Sequence, residues 1–334
     1  MNVGMWVKAL RVIPKIDKAE WDRLDIISRW LISTRAAVLI MTFFSATIAG
    51  ILAYAAGNFH WRYYLLLVVG LVFAHATNNL LNDLTDYDRG VDRDNYFRTQ
   101  YGPQALEQGL MTRRELLLYA AVTGLIALAA GAYLVAARGW LAVALLAAGA
   151  FFVLFYTWPL KYIGLGEVAV ILVWGPLMIG GGYFVITGQW DWRVALAGLP
   201  YALGPTTVIF GKHIDKLRED KAKKIHTLPV IIGEKAARYG VTAMIALQYL
   251  LVVALVITGF FTPVMLLVLA AIIPARGIFA QLMKPKPETP PAEDKTGWPM
   301  WFVSMVFLHN RTYGGLFLLG LILDAVIKRV ILKM

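Results

Sequence analysis

His75-Ala-Thr-Asn78-Asn79-Leu-Leu-Asn82-Asp83-Leu-Thr-Asp86-Tyr-Asp88-Arg89-Gly90-Val-Asp92 closes a strongly apolar run that begins near Trp61. Read as a helix, the run places His75, Asn79, Asn82, Asp83 and Asp86 on one face, because they follow one another in steps of three or four. A lone Asp at the end of an apolar helix is a polar cap where a span meets water. Amides and carboxylates gathered on one stripe are a different matter: in a membrane they are costly without a partner, and the carboxylates repel one another unless a cation lies between them. An all-oxygen donor set suits a hard cation, Mg²⁺ before Zn²⁺.

Outward from this stretch the composition sets the class. Of 334 residues, 59% are hydrophobic and 16% are charged, against about 25% charged in ordinary globular chains; the mean hydropathy is +0.63. Apolar blocks fall at about 35–56, 61–84, 115–137, 139–158, 164–187, 193–213, 236–258, 261–282 and 311–331. Each approaches the roughly 20 residues a helix needs to cross a bilayer. The reading is an all-α polytopic membrane protein with about nine transmembrane helices. Absence of Cys excludes disulfides, a thiol nucleophile and Cys-ligated zinc. The net charge of +11 fits basic cytoplasmic loops and anionic lipid, not nucleic acid.

Residues 1–34 interleave Lys8, Arg11, Lys15, Lys18, Arg23 and Arg29, with Arg35 just beyond, among Trp6, Trp21, Leu24, Ile27 and Trp30. They read as a basic helix lying at the interface, ahead of a transmembrane domain over 35–334. They contain no apolar core before a small-residue cleavage site, so no cleavable signal is expected. The N-terminus and the loops at 85–114, around Lys161, at 214–235 and at 283–298 hold most Lys and Arg, and fall on one side. That side is expected to be cytoplasmic. Nine spans then put the C-terminus outside, where Lys328, Arg329 and Lys333 run against the rule. The Pro-rich stretch 284–298 reads as a flexible linker, and 299–310 as a short interfacial helix before the last span.

Two further constellations share the cytoplasmic side. One is Phe155-Tyr156-Thr-Trp-Pro159-Leu-Lys161-Tyr162-Ile-Gly-Leu-Gly166-Glu167; the other is Lys212-His213-Ile-Asp215-Lys216-Leu-Arg218-Glu219-Asp220 up to Thr227-Leu-Pro. A lone Lys in a turn is ordinarily loop decoration, and a charge run is ordinarily a solvated loop. Two acidic clusters and scattered Lys and Arg on one membrane face suggest more. Carboxylates hold Mg²⁺, the metals bridge a diphosphate, and basic side chains meet the remaining charge.

Asn82-Asp83-Leu-Thr-Asp86 with Asp92, and Asn79 one turn earlier, resembles the first motif, N-D-x-x-D with a further Asp, of the UbiA superfamily of intramembrane aromatic prenyltransferases. The resemblance runs from about residue 35 to the C-terminus. It implies nine helices around a central cavity, a cytoplasmic-side active site and two Asp-rich motifs that bind Mg²⁺-diphosphate. The Gly before the last Asp, and the Gly-Pro…Gly-Leu-Met-Thr segment after it, look most like the branch that prenylates 1,4-dihydroxy-2-naphthoate for menaquinone. The segment through Tyr156 and Lys161 resembles the family's central loop and makes Lys161 a diphosphate ligand. The second motif departs from the branch pattern N-x-x-R-D-x-x-x-D. Asp220 stands seven residues before Thr227 as the pattern requires, but the Asp four residues earlier is replaced by Lys216, with Asp215 one place off.

By this resemblance Asn79, Asn82, Asp83, Asp86 and Asp92 hold one Mg²⁺, and Asp215 with Asp220 or Glu219 holds another. Lys161, Arg98 and Lys212 neutralise the diphosphate. Tyr156, Phe155 or Trp174 faces an allylic cation. His75 and His213 either contact the acceptor or make structural hydrogen bonds. The expected partners are a polyprenyl diphosphate, an aromatic acceptor and the lipid bilayer, at the inner cell membrane. Other acceptors stay open: 4-hydroxybenzoate, haem, a chlorophyllide or a non-aromatic alcohol. The D-G-x-x-A-R opening of a phosphatidyltransferase is absent. A transporter or Mg²⁺ channel would want polar groups at mid-bilayer and broken helices, for which Gly180-Gly181-Gly182 and Gly204-Pro205 are the candidate breaks.

Overall fold

A computed structural model of the chain describes residues 1–93, 100, 102–290 and 298–332. Among these the regular structure is helical throughout, with no strand. Two compact units are present. One comprises Met1–Phe43 with Leu65–Pro159, the other Phe44–Tyr64 with Leu160–Met334.

The first unit begins with three short helices, α1 (Val3–Arg11), α2 (Lys18–Asp22) and α3 (Ile26–Ser33). Asp25 organises them. Its carboxylate caps α3 by accepting the N–H groups of Ile27 and Ser28 at 3.1 and 3.0 Å, and binds the Asn2 N–H at 2.7 Å and the Trp6 indole at 3.0 Å. The Ser28 N–H, foremost, holds the Asp25 carboxyl well below the usual carboxylate range. The single interfacial helix expected over 1–34 is therefore three helices. They dock inward: Met5, Ala9, Trp21, Leu24, Leu31 and Ile32 are buried in one cluster with Ala76, Leu80, Leu116 and Ala120. Burying a large apolar side chain contributes about 1.5–3 kcal/mol.

The long helices follow: α4 (Ala36–Ala55), α5 (Trp61–Asp88), α6 (Arg113–Arg138) and α7 (Trp140–Phe155). The start of α6 is a capping box. Thr112 Oγ1 accepts the Glu115 N–H at 3.2 Å while Glu115 Oε2 accepts the Thr112 N–H at 2.7 Å. The end of α5 is a Schellman turn. Gly90 takes φ +66° and the Val91 N–H reaches back to the Asp86 carbonyl at 2.8 Å. The chain thus reverses at the helix end, and Asp92 follows at once.

The second unit contains one 22-residue apolar helical run, Gly166–Thr187. It is α-helical as α8 (Gly166–Leu172) and α9 (Gly181–Thr187), with a π-helical stretch, Val173–Gly180, around Pro176. Proline has no N–H to give, and the wider π turn accommodates the break in the ladder. Next come α10 (Trp192–Ala197), α11 (Leu199–Asp215), α12 (Leu217–Ala222), α13 (Leu228–Ile232), α14 (Glu234–Ile257), α15 (Ile272–Leu282) and α16 (Trp301–Val326). Helix α11 is the unit's axis, packed against α14 and α16. It runs unbroken through Gly204-Pro205, and a Cβ on Gly204 would fall 2.0 Å from Asn310 Oδ1, so a larger residue requires the Asn310 side chain to move.

Seven helices among the described residues are long and apolar enough to cross a membrane. Two of the nine expected spans differ. The apolar helix Trp140–Phe155 has 16 residues, and α16 carries the polar run His309-Asn310-Arg311. The short helix expected over 299–310 is instead the first half of the continuous 26-residue α16. No Gly or Pro interrupts 301–313, and an N-terminal cap described below fixes its start.

At the far end of α16, Lys328 has a defined environment. Its ammonium lies 2.9 Å from Asp324 Oδ2, donates to the Phe260 carbonyl at 2.6 Å and lies 5.6 Å from the Phe260 and Phe261 ring centres. Asp324 Oδ1 accepts the Thr262 N–H at 2.6 Å. The Lys328 charge is thereby compensated within the protein. Asp324→Ala strands both the ammonium and the amide, and is expected to lower the unfolding free energy by about 3 kcal/mol. A clear drop in Tm of the detergent-purified protein checks this; an unchanged Tm would mean that water serves Lys328 equally well.

Candidate active site

In the first unit the site is the C-terminal third of α5. Asp83 and Asp86, one turn apart, and Asp92 after the Schellman turn are each only 3% exposed. Burying a carboxylate in a low-dielectric interior is unfavourable unless a positive charge compensates it. For Asp83 that charge is the Arg35 guanidinium, with which it forms an ion pair. Arg35 sits between α3 and α4 at φ +54°, a left-handed conformation that costs an L-residue about 1–2 kcal/mol. The ion pair offsets that strain. Arg89 stacks on Trp158, its guanidinium 4.7 Å from the ring centre. Arg98 lies outside the described residues.

The amides on this face are oriented by their NH₂ groups. Asn79 Nδ2 donates to the Thr34 carbonyl at 2.8 Å, Asn82 Nδ2 to Thr157 Oγ1 at 2.9 Å and Asn78 Nδ2 to the Val153 carbonyl at 2.9 Å. In an amide it is the oxygen, not the NH₂ group, that a hard cation takes as ligand. His75 Nδ1 lies 2.7 Å from Thr42 Oγ1, the structural hydrogen bond weighed against a substrate role. Among the described residues no three His, Asp or Glu side chains form a ready-made metal cluster. The donor chemistry still fits a hard divalent cation: buried, all-oxygen, and already facing one positive group in Arg35.

In the second unit Lys161 lies buried in the 3₁₀ turn Leu160–Ile163, its ammonium 5.6 Å from the Tyr162 ring centre. The turn packs tightly, since a Cβ on Gly166 would come within 3.2 Å of Lys161 Cα. Glu167 follows. Its Oε1 is 2.5 Å from His213 Nδ1, both side chains fully enclosed, and its Oε2 accepts the Leu228 N–H at 3.3 Å. Glu167 therefore ties the Lys161 turn to α11 and to the Thr227-Leu-Pro turn. His213, expected near substrate, has Glu167 as its neighbour, while Lys212 is half-buried.

The acidic residues after α11 take separate paths. Asp215 caps α16, its Oδ1 accepting the Phe302 N–H at 3.0 Å and its Oδ2 the Val303 N–H at 2.9 Å. Lys286 Nζ stands 3.4 Å from Asp215 Oδ1 and donates to the Pro299 carbonyl at 2.6 Å. The stretch read as a flexible linker thus contributes a half-buried cation. Asp220 is paired with Lys216, Nζ to Oδ1, at 2.8 Å, and Glu219 beside it is half-buried. Arg35 and Glu167 are the residues that the sequence reading did not single out. Glu167 closes a motif quoted there in full; Arg35 carries no local signal, because its partner is 48 residues away.

Residues 43–310 match the model of the UbiA prenyltransferase family. The chain is 27% identical over 237 residues to a 1,4-dihydroxy-2-naphthoate octaprenyltransferase of Bacillus subtilis, covering 69% of this chain and 74% of that one. It is 22% identical over 228 residues to a 2-carboxy-1,4-naphthoquinone phytyltransferase of Synechocystis, covering 66% and 72%. Its fold is similar to that of a digeranylgeranylglyceryl phosphate synthase, with a TM-score of 0.60 at 20% identity over 89% of this chain and 97% of that one. It is also similar to a UbiA homologue from Archaeoglobus fulgidus bound to GPP and Mg²⁺, with a TM-score of 0.51 at 16% identity over 84% and 99%. The chain belongs to the UbiA prenyltransferase family and is a membrane-embedded transferase.

Proposed function

We propose that this protein transfers a polyprenyl group from an allylic polyprenyl diphosphate to 1,4-dihydroxy-2-naphthoate, in a Mg²⁺-dependent reaction of menaquinone biosynthesis. The observation that carries the reading is the trio of buried carboxylates, Asp83, Asp86 and Asp92, at the end of α5. The naphthoate acceptor is supported by the names of relatives at modest identity. The protein lies in the cell membrane with its N-terminus and acidic motifs on the cytoplasmic side and its C-terminus outside, as the distribution of Lys and Arg favours.

Asp83, Asp86 and Asp92, with the amide oxygens of Asn82 and Asn79, hold the metal. When bound, Mg²⁺ supplies charge to a departing diphosphate. Arg35 neutralises Asp83 in the metal-free protein and stays beside it as a fixed cation. Lys161, in a turn packed on Gly166 and tied down by Glu167, neutralises the diphosphate together with Arg98 and Lys212. The allylic C–O bond breaks with its electron pair remaining on the diphosphate. Tyr156, Phe155 or Trp174 stabilises the allylic cation through its ring face. The ring carbon of the acceptor that bears the carboxylate forms the new C–C bond, and its bond to the carboxylate breaks, the electron pair restoring aromaticity as CO₂ leaves.

Detergent-purified protein given a radiolabelled allylic diphosphate and 1,4-dihydroxy-2-naphthoate is expected to form prenylated product with Mg²⁺ and none with EDTA. Product from 4-hydroxybenzoate alone would move the acceptor and leave the chemistry standing. Asp86→Ala is expected to lower turnover by about 10²–10³-fold, the range seen when one electrostatic element of a preorganised site is removed. Its Tm should change little, since the deletion relieves carboxylate repulsion; near-native turnover in this variant would refute the metal assignment.

A further inference from the structure

The second acidic motif differs from the first in one physical respect: it contains its own cation. Lys216 ends α11 and Asp220 lies one turn on in α12. The turn is closed twice, by the Asp220 N–H to the Lys216 carbonyl at 2.9 Å and by Lys216 Nζ to Asp220 Oδ1 at 2.8 Å. The side chains are 12% and 3% exposed. The other Asp220 oxygen, Oδ2, is buried and has no hydrogen-bond partner. The neighbouring acid is committed elsewhere, because both Asp215 oxygens accept N–H groups at the start of α16. Glu219 precedes Asp220 by one residue, and adjacent helical residues do not share a face.

A second Mg²⁺ does not fit this locus. Mg²⁺ demands near-octahedral oxygen ligands, and here one carboxylate remains, with an ammonium already on it. The charge sum nevertheless matches what a metal would give: two carboxylates around a divalent ion total zero, as do one carboxylate and one ammonium. An ammonium also carries three N–H donors, of which Asp220 takes one.

Building on the prenyl-diphosphate reading above, we propose that Lys216 takes the place of the second divalent cation. The second motif then holds no divalent cation, and the Lys216 ammonium, kept in place by Asp220, binds diphosphate directly.

The test counts metal and does not depend on turnover. Full-length protein in detergent is titrated with Mn²⁺ in the presence of geranyl S-thiolodiphosphate, and bound Mn²⁺ is measured by electron paramagnetic resonance. One Mn²⁺ per chain is expected, falling to none in Asp86→Asn. Lys216→Asp, which restores a carboxylate four residues before Asp220, is expected to bind two. Lys216→Gln is expected to keep one Mn²⁺ while the analogue binds about tenfold more weakly, the loss of a charge-assisted hydrogen bond. Two Mn²⁺ on the native protein, or unchanged analogue affinity in Lys216→Gln, would overturn the substitution and leave the prenyl-diphosphate reading intact. Native protein that binds neither Mn²⁺ nor the analogue would overturn both.

Discussion

Three carboxylates buried within Asp83–Asp92 are the constraint on which the first unit depends. Removing them from water is unfavourable by several kcal/mol each unless opposite charge is brought to them. This explains features that look unrelated in sequence. Arg35 is held at a left-handed backbone angle where its guanidinium reaches Asp83. The three N-terminal helices dock against α5 and α6, which fixes the α3–α4 corner that carries Arg35. The Thr34 carbonyl, from the same corner, sets the amide of Asn79. The N-terminal segment thereby acts as scaffold for the acidic face.

The second unit meets the same constraint in four other ways. Asp215 is compensated by the N–H groups and dipole of a helix start, Asp220 by an ammonium one turn away, Glu167 by an imidazole and a backbone N–H, and Asp324 by Lys328. Each carboxylate there has its compensation inside the protein. A Cα-near partner such as Lys216 or Lys328 comes with the helix itself, by i,i+4 spacing. A partner such as Phe302 has to be delivered by the fold.

That distinction also separates what was legible in the sequence from what was not. The long apolar blocks and the acidic face of α5 are local, governed by periodicity, and read directly from spacing. The Thr112–Glu115 cap is equally local, although its signature was not used. Tertiary partners were opaque. Nothing near Asp215 signals that its carboxylate would cap a helix starting at Trp301, some 87 residues on, and without that cap the first half of α16 reads as a separate segment. Arg35 looked like one basic residue among many in a basic N-terminus. Lys286 was hidden in a Pro-rich linker whose composition argues for disorder, because composition cannot show a single half-buried ammonium.

The departure at the second motif follows from the same physics. The naphthoate branch pattern places a basic residue and then an acid at these two positions; here Asp215 precedes Lys216. The exchange conserves the summed charge. It also rotates the negative charge by one residue, about 100° around a helix, and the start of α16 lies on that side, where Phe302 and Val303 each present an N–H. A carboxylate turned there satisfies two of the four orphan donors of a new helix, and the ammonium that takes its former place falls on Asp220 by i,i+4 geometry. Capping of α16 and loss of the second metal-binding carboxylate are then consequences of one exchange. A helix start gained a fixed anion, and Asp220 gained a cation that belongs to the chain.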